Sequence, residues 1–92
     1  MSKITVSLKG RDGTRSTYTV RVSDGSASAH EVDLDQSYYQ ELTNGKETPE
    51  KLIERSFVFL LTHESQDSIL PKFNLEQISY YFPEYEDTIK TS

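Results

Sequence analysis

Three carboxylates recur at every second residue of this chain, Glu31, Asp33 and Asp35, next to one of its two histidines, His30. On an extended segment that spacing puts all three on one face, an array of hard oxygen donors of the kind Mg²⁺ or Ca²⁺ takes. Their context favours a plainer role. Asp35 stands where a following helix needs a cap, and no glycine occupies the offset of a calcium loop, so the acids read as the wet face of a strand. No metal or cofactor is expected. His63 lies far along the chain from His30, and neither has an HExxH spacing or a Ser or Cys nucleophile motif beside it. His63 reads as a solvent-side residue at a helix C-terminus, where a cation complements the dipole. Gly10 and Gly13 flank Arg11 without a strand-to-helix glycine pattern, so they read as turn glycines rather than a phosphate cradle. With no acid and base assembled, the chain is expected not to be an enzyme.

Two stretches are suited to binding instead. Lys3, Lys9, Arg11, Arg15 and Arg21 are expected to gather on the wet face and tip of an N-terminal hairpin, with hydroxyls between them. Residues 1–22 carry only Asp12 against these five, a net charge of +4 in a chain of net −5. Such a surface meets phosphates or an acidic protein patch, and because Tyr18 falls on the apolar side of its strand, no exposed aromatic is offered to stack on bases. A protein partner is therefore preferred to nucleic acid. The second stretch, 80–86 (YYFPEYE), alternates aromatic and acidic residues around a proline. Tyr81 and Phe82 are expected to close the core and Tyr80 and Tyr85 to face out, a composition suited to a protein interface. The candidate partner-binding residues are thus Lys9, Arg11, Arg15, Arg21, Tyr80 and Tyr85.

The elements that must position these residues follow from patterning. In a chain of 92 residues, 34% hydrophobic composition is lean for one core, and six Tyr and four Phe partly make up for it. The absence of Cys excludes a disulfide framework and points to a reducing, cytoplasmic setting. The longest apolar run, 57–61, has five residues, so neither a signal peptide nor a membrane span is expected. Ile4, Val6 and Leu8, and then Tyr18, Val20 and Val22, alternate with polar residues around a Gly10-Arg11-Asp12-Gly13 turn, the pattern of a hairpin with one wet face. Residues 23–29 read as a mobile loop and 29–34 as a third strand, with His30, Val32 and Leu34 on its inner side. Asp35 would cap a helix over Gln36–Thr43, which Asn44-Gly45 stops. The central helix spans 48–64, with Thr48 as cap, Pro49 in the first position and Glu50 in the first turn. Ile69, Leu70 and Phe73 are expected to close over it. A further helix opens at Asn74, with Gln77 as the reciprocal capping partner and Phe73 and Ile78 as a staple, and ends before Pro83.

Residues 34–86 resemble a family of small uncharacterised prokaryotic proteins with a pattern like SFxFLLxxE, then SIL, then FxLxxIxxYFPEYE. Here the pattern reads Ser56-Phe57-Val58-Phe59-Leu60-Leu61 with Glu64, then Ser68-Ile69-Leu70, then Phe73 through Leu75 and Ile78 to Tyr81-Phe82-Pro83-Glu84-Tyr85-Glu86. The resemblance implies one domain and carries no catalytic role. A looser likeness, in the order strand 29–34, helix, Gly45 turn and a helix opening on Thr48-Pro49, is to ribbon-helix-helix repressors and antitoxins. That likeness would lay Glu31 and Asp33 toward DNA phosphates, which repel them. The expectation is therefore a single α+β domain over 1–92, with a three-stranded antiparallel sheet in 1–34 packed by two to three helices in 35–90. Its expected function is a non-catalytic protein-protein interaction or regulatory module. The alternative is a ribbon-helix-helix-like nucleic-acid-binding regulator or antitoxin, and a homodimer is left open.

Overall fold

The computed structural model describes residues 3–90. Strands β1 (Lys3–Asp12), β2 (Arg15–Asp24) and β3 (Ser26–Asp35) form an antiparallel meander, followed by helices α1 (Gln36–Thr43) and α2 (Pro49–His63). A 3-10 turn at Gln66–Ser68 leads to β4 (Lys72–Asn74) and the short helices α3 (Gln77–Tyr81) and α4 (Tyr85–Ile89). The sheet has the order β1-β2-β3-β4, with β4 parallel to β3. The architecture is α+β as expected, but the sheet is four-stranded and mixed rather than three-stranded and antiparallel. Three residues are too few to show an alternation, and β4 exists because β3 offers a free edge. Glu31 N–H donates to Pro71 O at 2.8 Å and Leu75 N–H to Asp33 O at 2.9 Å, which ties the incoming chain to that edge.

Local chemistry sets the hairpin. A two-residue connection, Gly13-Thr14, joins Asp12 to its cross-strand partner Arg15, and Gly13 alone takes a positive φ of 66°, as a type II′ turn requires at its first central position. A bulge between Leu8 and Gly10 then shifts the phase of β1. The expected mobile loop at 23–29 is strand instead: the β2–β3 ladder pairs Val22 with Ser28 and Ser23 with Ala27, and Gly25 at φ 83° reverses the chain. Backbone pairing overrides the polar composition there, because each strand already has its partner alongside.

Helix α2 starts as its sequence dictates, with the Thr48 hydroxyl accepting from Lys51 N–H at 3.1 Å and Pro49 in the first turn. It buries two sides. Toward the sheet, the Phe57 ring lies 5.6 Å from the His30 ring on β3 and 6.0 Å from Phe73 on β4. Toward the C-terminal segment, Phe59 meets Phe82 edge-on at 5.7 Å and Tyr85 at 5.3 Å. Val58 lies on neither side and is exposed. Arg55 pairs with Glu47 and donates to Ile89 O at 2.7 Å, while the Tyr39 hydroxyl donates to Glu47 O, so the α1–α2 connection is held to the far end of the chain. The expected Asp35 cap of α1 is not made, because its carboxylate is engaged by Arg15 at 2.8 Å. At Asn74 the capping exchange forms: its N–H donates to Gln77 Oε1 at 2.8 Å and its Oδ1 accepts from Glu76 N–H at 3.0 Å. The helix proper, however, begins only at Gln77.

Among the described residues no helix is long and apolar enough to cross a membrane. Phe57 is fully buried between α2 and two strands, so Phe57→Ala is expected to cost about 3–5 kcal/mol, much of the stability of a small domain. Urea unfolding measures this, and a loss below about 1 kcal/mol would show that the sheet–helix contact is not what holds the fold.

Candidate functional site

Cross-strand register decides what the basic hairpin offers. On the outer face of the sheet, β2 lies between β1 and β3, and the acids of β3 stand within reach of the cations. Lys9 pairs with Glu31, Arg15 with Asp35, and the Thr17 hydroxyl donates to Asp33 at 2.7 Å. The hydrogen bond from Lys9 holds the Glu31 carboxyl below the ordinary range against partial desolvation, and the Lys9 and Lys72 charges add to it. Each of the three acids that could have formed a metal site is therefore engaged by a hairpin residue. Among the described residues no group of three His, Asp or Glu stands close enough to hold a metal ion. Arg11, expected in the turn at the hairpin tip, lies in β1 instead and is exposed. The bulge puts it opposite Ser16, in phase with Leu8 and Tyr18 on the helix-covered side, whereas Arg21 stays on the outer face opposite Thr5. The predicted basic cluster is thus two internal ion pairs, Lys3 and Arg21 on the outer face, and Arg11 on the opposite face.

The histidines share no partner. His30 is buried; its Nδ1–H donates to Leu70 O at 2.8 Å, so its Nε2 accepts from the Ser28 hydroxyl at 2.9 Å. Gln66 Nε2 in turn donates to Ser28 Oγ at 2.7 Å. This chain of bonds pins the 65–71 connection onto β3. It was not legible in advance, because Ser28 lies in a stretch that reads as loop. His63 stacks on Phe59 at 4.3 Å, donates from Nδ1 to Phe59 O at 3.0 Å and turns Nε2 toward Glu84 at 3.5 Å.

The C-terminal aromatics exchange roles relative to expectation. Tyr80 is exposed as anticipated, at 73%, but Tyr81 is exposed too, at 66%, and Tyr85 is fully buried. Helix α3 has only five residues and Phe82 leaves helical geometry at φ −129°, so a helical phase carried from Leu75 to Tyr81 does not hold. The chain then turns at Pro83, and α4 lays Tyr85 back against α2. There Ser56 Oγ donates to Leu52 O at 2.8 Å and accepts the Tyr85 hydroxyl at 2.6 Å. A second phenol, Tyr38, donates to Glu86 at 2.8 Å. Burial pushes the Tyr85 and Tyr38 phenols well above the ordinary range, and the bond to Glu86 adds to the effect on Tyr38.

A groove of about 380 Å³ opens beside the exposed tyrosines. Its floor is apolar, made by Leu60 of α2, Ile69 and Phe73 of the following connection and strand, and Ile78 and Phe82 of the α3 region. Leu70 and Tyr81 stand at its rim, and Glu64 is the charged residue in its wall. A second cleft of about 440 Å³, lined by Val58, Phe59, His63 and Glu84 among others, lies across the Phe59–Phe82 contact. Of the six candidate binding residues, the structure leaves Tyr80 exposed, next in the chain to Tyr81 at the groove rim, and withdraws Tyr85 into the core. The signal that could have found the groove is the pair Leu70 and Tyr81, two large residues that no adjacent element covers. No family model, curated protein or solved structure matches this chain.

The buried phenols give a pH prediction. A phenol raised in the folded state keeps its proton where the unfolded chain releases it, so stability is full below the ordinary phenol value near 10 and falls as pH rises beyond it. Melting temperatures measured from roughly pH 9 to 11 should therefore fall less steeply in Tyr38→Phe/Tyr85→Phe than in the parent protein. Parallel curves would show that these two hydroxyls do not carry the alkaline sensitivity.

Proposed function

We propose that this protein is a small non-catalytic interaction module, and that it meets another protein through the Tyr80–Tyr81 edge and the groove beside it. The observation that carries this reading is the pair of adjacent tyrosines, 73% and 66% exposed, next to an apolar concavity. Leaving large amphipathic rings in water has no folding benefit here, since neither packs into the core. Covered by a partner, each ring supplies a large contact area at low entropic cost, and its hydroxyl keeps a polar handle at the rim.

The hairpin is the weaker candidate surface. Lys9 and Arg15 are already neutralised by Glu31 and Asp35, and Arg11 and Arg21 do not share a face. The nucleic-acid alternative fits the fold less well. A ribbon-helix-helix strand pairs across a dimer, whereas β3 is hydrogen-bonded to β2 on one side and to β4 on the other. Its outer face also carries three acids, of which Glu31 and Asp35 pair with Lys9 and Arg15, and Asp33 accepts from Thr17.

Affinity capture from lysate of the source cell, with and without nuclease and at low and high salt, separates these readings. Tyr80→Ala/Tyr81→Ala is expected to lose a nuclease-indifferent protein partner recovered at fixed stoichiometry, with little change in melting temperature because both side chains are exposed. Arg11→Glu/Arg15→Glu should retain that partner. The opposite pattern would move the site to the hairpin, and nucleic acid recovered at low salt and lost at high salt would revive the regulator.

A further inference from the structure

We infer that the groove beside Tyr81 takes a basic amphipathic segment of a different protein, with apolar side chains on the floor made by Ile69, Phe73, Ile78 and Phe82 and a Lys or Arg against Glu64 and the tyrosine rings. The inference rests on the reading of the Tyr80–Tyr81 edge as the contact surface and names the chemistry of its occupant. Shape sets the apolar half. Ile69, Phe73 and Ile78 are each less than a tenth exposed at the base, while Leu70 at 45% and Tyr81 at 66% stand up on either side. A peptide laid between them removes both rims from water.

Charge sets the other half. The stretch 64–87, which builds most of the groove and continues into α4, holds six carboxylates against one lysine, a net charge of −5. That lysine, Lys72, lies in register with Glu31 on the sheet and helps to hold the Glu31 charge. The Glu64 backbone N–H closes α2 on Leu60 O, but its carboxylate makes no hydrogen bond or ion pair with any described residue. It is free to receive a cation, and the exposed faces of Tyr80 and Tyr81 attract one as well. Nucleic acid and anionic ligands are repelled by the same field.

The occupant is not a second copy of this chain. Its matching surface would be the basic hairpin, where Lys9 and Arg15 are spent on β3 and, of the other three cations, Lys3 and Arg21 lie on the outer face and Arg11 on the opposite one. Docking hairpin to groove would also be head-to-tail, a contact that needs a closing rotation to stop at a defined oligomer.

Selection of short random peptides displayed on phage against the full protein tests this directly. Enriched peptides should combine Leu, Phe or Trp with Lys or Arg, bind more weakly as salt rises, and lose at least about tenfold in affinity to both Tyr81→Ala and Glu64→Lys. Glu64→Gln replaces Glu64→Lys if the lysine variant melts early. Enriched peptides that are neutral or acidic, yet depend on Tyr81, overturn the basic occupant and leave the contact surface standing. A library that yields no peptide dependent on Tyr80 or Tyr81 overturns both. Concentration-dependent self-association in sedimentation, abolished by Tyr81→Ala, overturns the inference in favour of a second copy.

Discussion

The burial of α2 on two sides is the constraint from which the rest of the molecule follows. One side presses Phe57 onto His30 and Phe73, which joins the helix to the inner strand of the sheet and to its parallel edge. The other presses Phe59 and Ser56 onto Phe82 and Tyr85. In a chain of 34% hydrophobic residues no other element has enough apolar surface to organise a core. Covering two sides of one helix therefore consumes the sheet on one flank and the whole C-terminal segment on the other. Little apolar chain remains to cover the end of α2, and the groove opens there.

Buried polar groups make this arrangement specific. Ser56 sits at a fully buried position of α2, and its hydroxyl passes one hydrogen bond to Leu52 O while receiving one from Tyr85. A shifted α4 would leave the buried Tyr85 hydroxyl without its partner in a low-dielectric interior, which costs more than the net gain of making the bond. The Gln66–Ser28–His30–Leu70 chain acts in the same way on the sheet side of α2, where it registers the 65–71 connection on β3. The two networks fix the two walls of the groove relative to each other. The groove is accordingly a consequence of core packing rather than of a separate loop.

The charge pattern of the chain has a different meaning in three dimensions. A basic N-terminal quarter and an acidic remainder suggest two poles, but the meander folds the first acids, Glu31, Asp33 and Asp35, across the same sheet face as Lys9, Thr17 and Arg15. Surface pairs of this kind add little stability. Their effect is to engage Lys9 and Arg15 within the sheet face, while the stretch 64–87 keeps a net charge of −5.

Features governed by a few neighbouring residues were legible from the sequence alone: the Thr48-Pro49 start of α2, the Asn44-Gly45 stop of α1, the alternation of the first three strands, the inner placement of His30, Val32 and Leu34, and the Asn74–Gln77 exchange. Each is decided within one turn or one strand pair, where sterics and local hydrogen bonding dominate. Of the candidate site, the exposure of Tyr80 was legible and its setting was not. Only the tertiary structure decided that Lys72–Asn74 becomes a strand, that a bulge turns Arg11 to the covered face, and that Tyr85 rather than Tyr81 enters the core. In each case the deciding partner lies far away in sequence: the free edge of β3, the ladder with β2, the Ser56 hydroxyl. A short segment with weak preferences of its own takes the conformation in which those distant groups are satisfied.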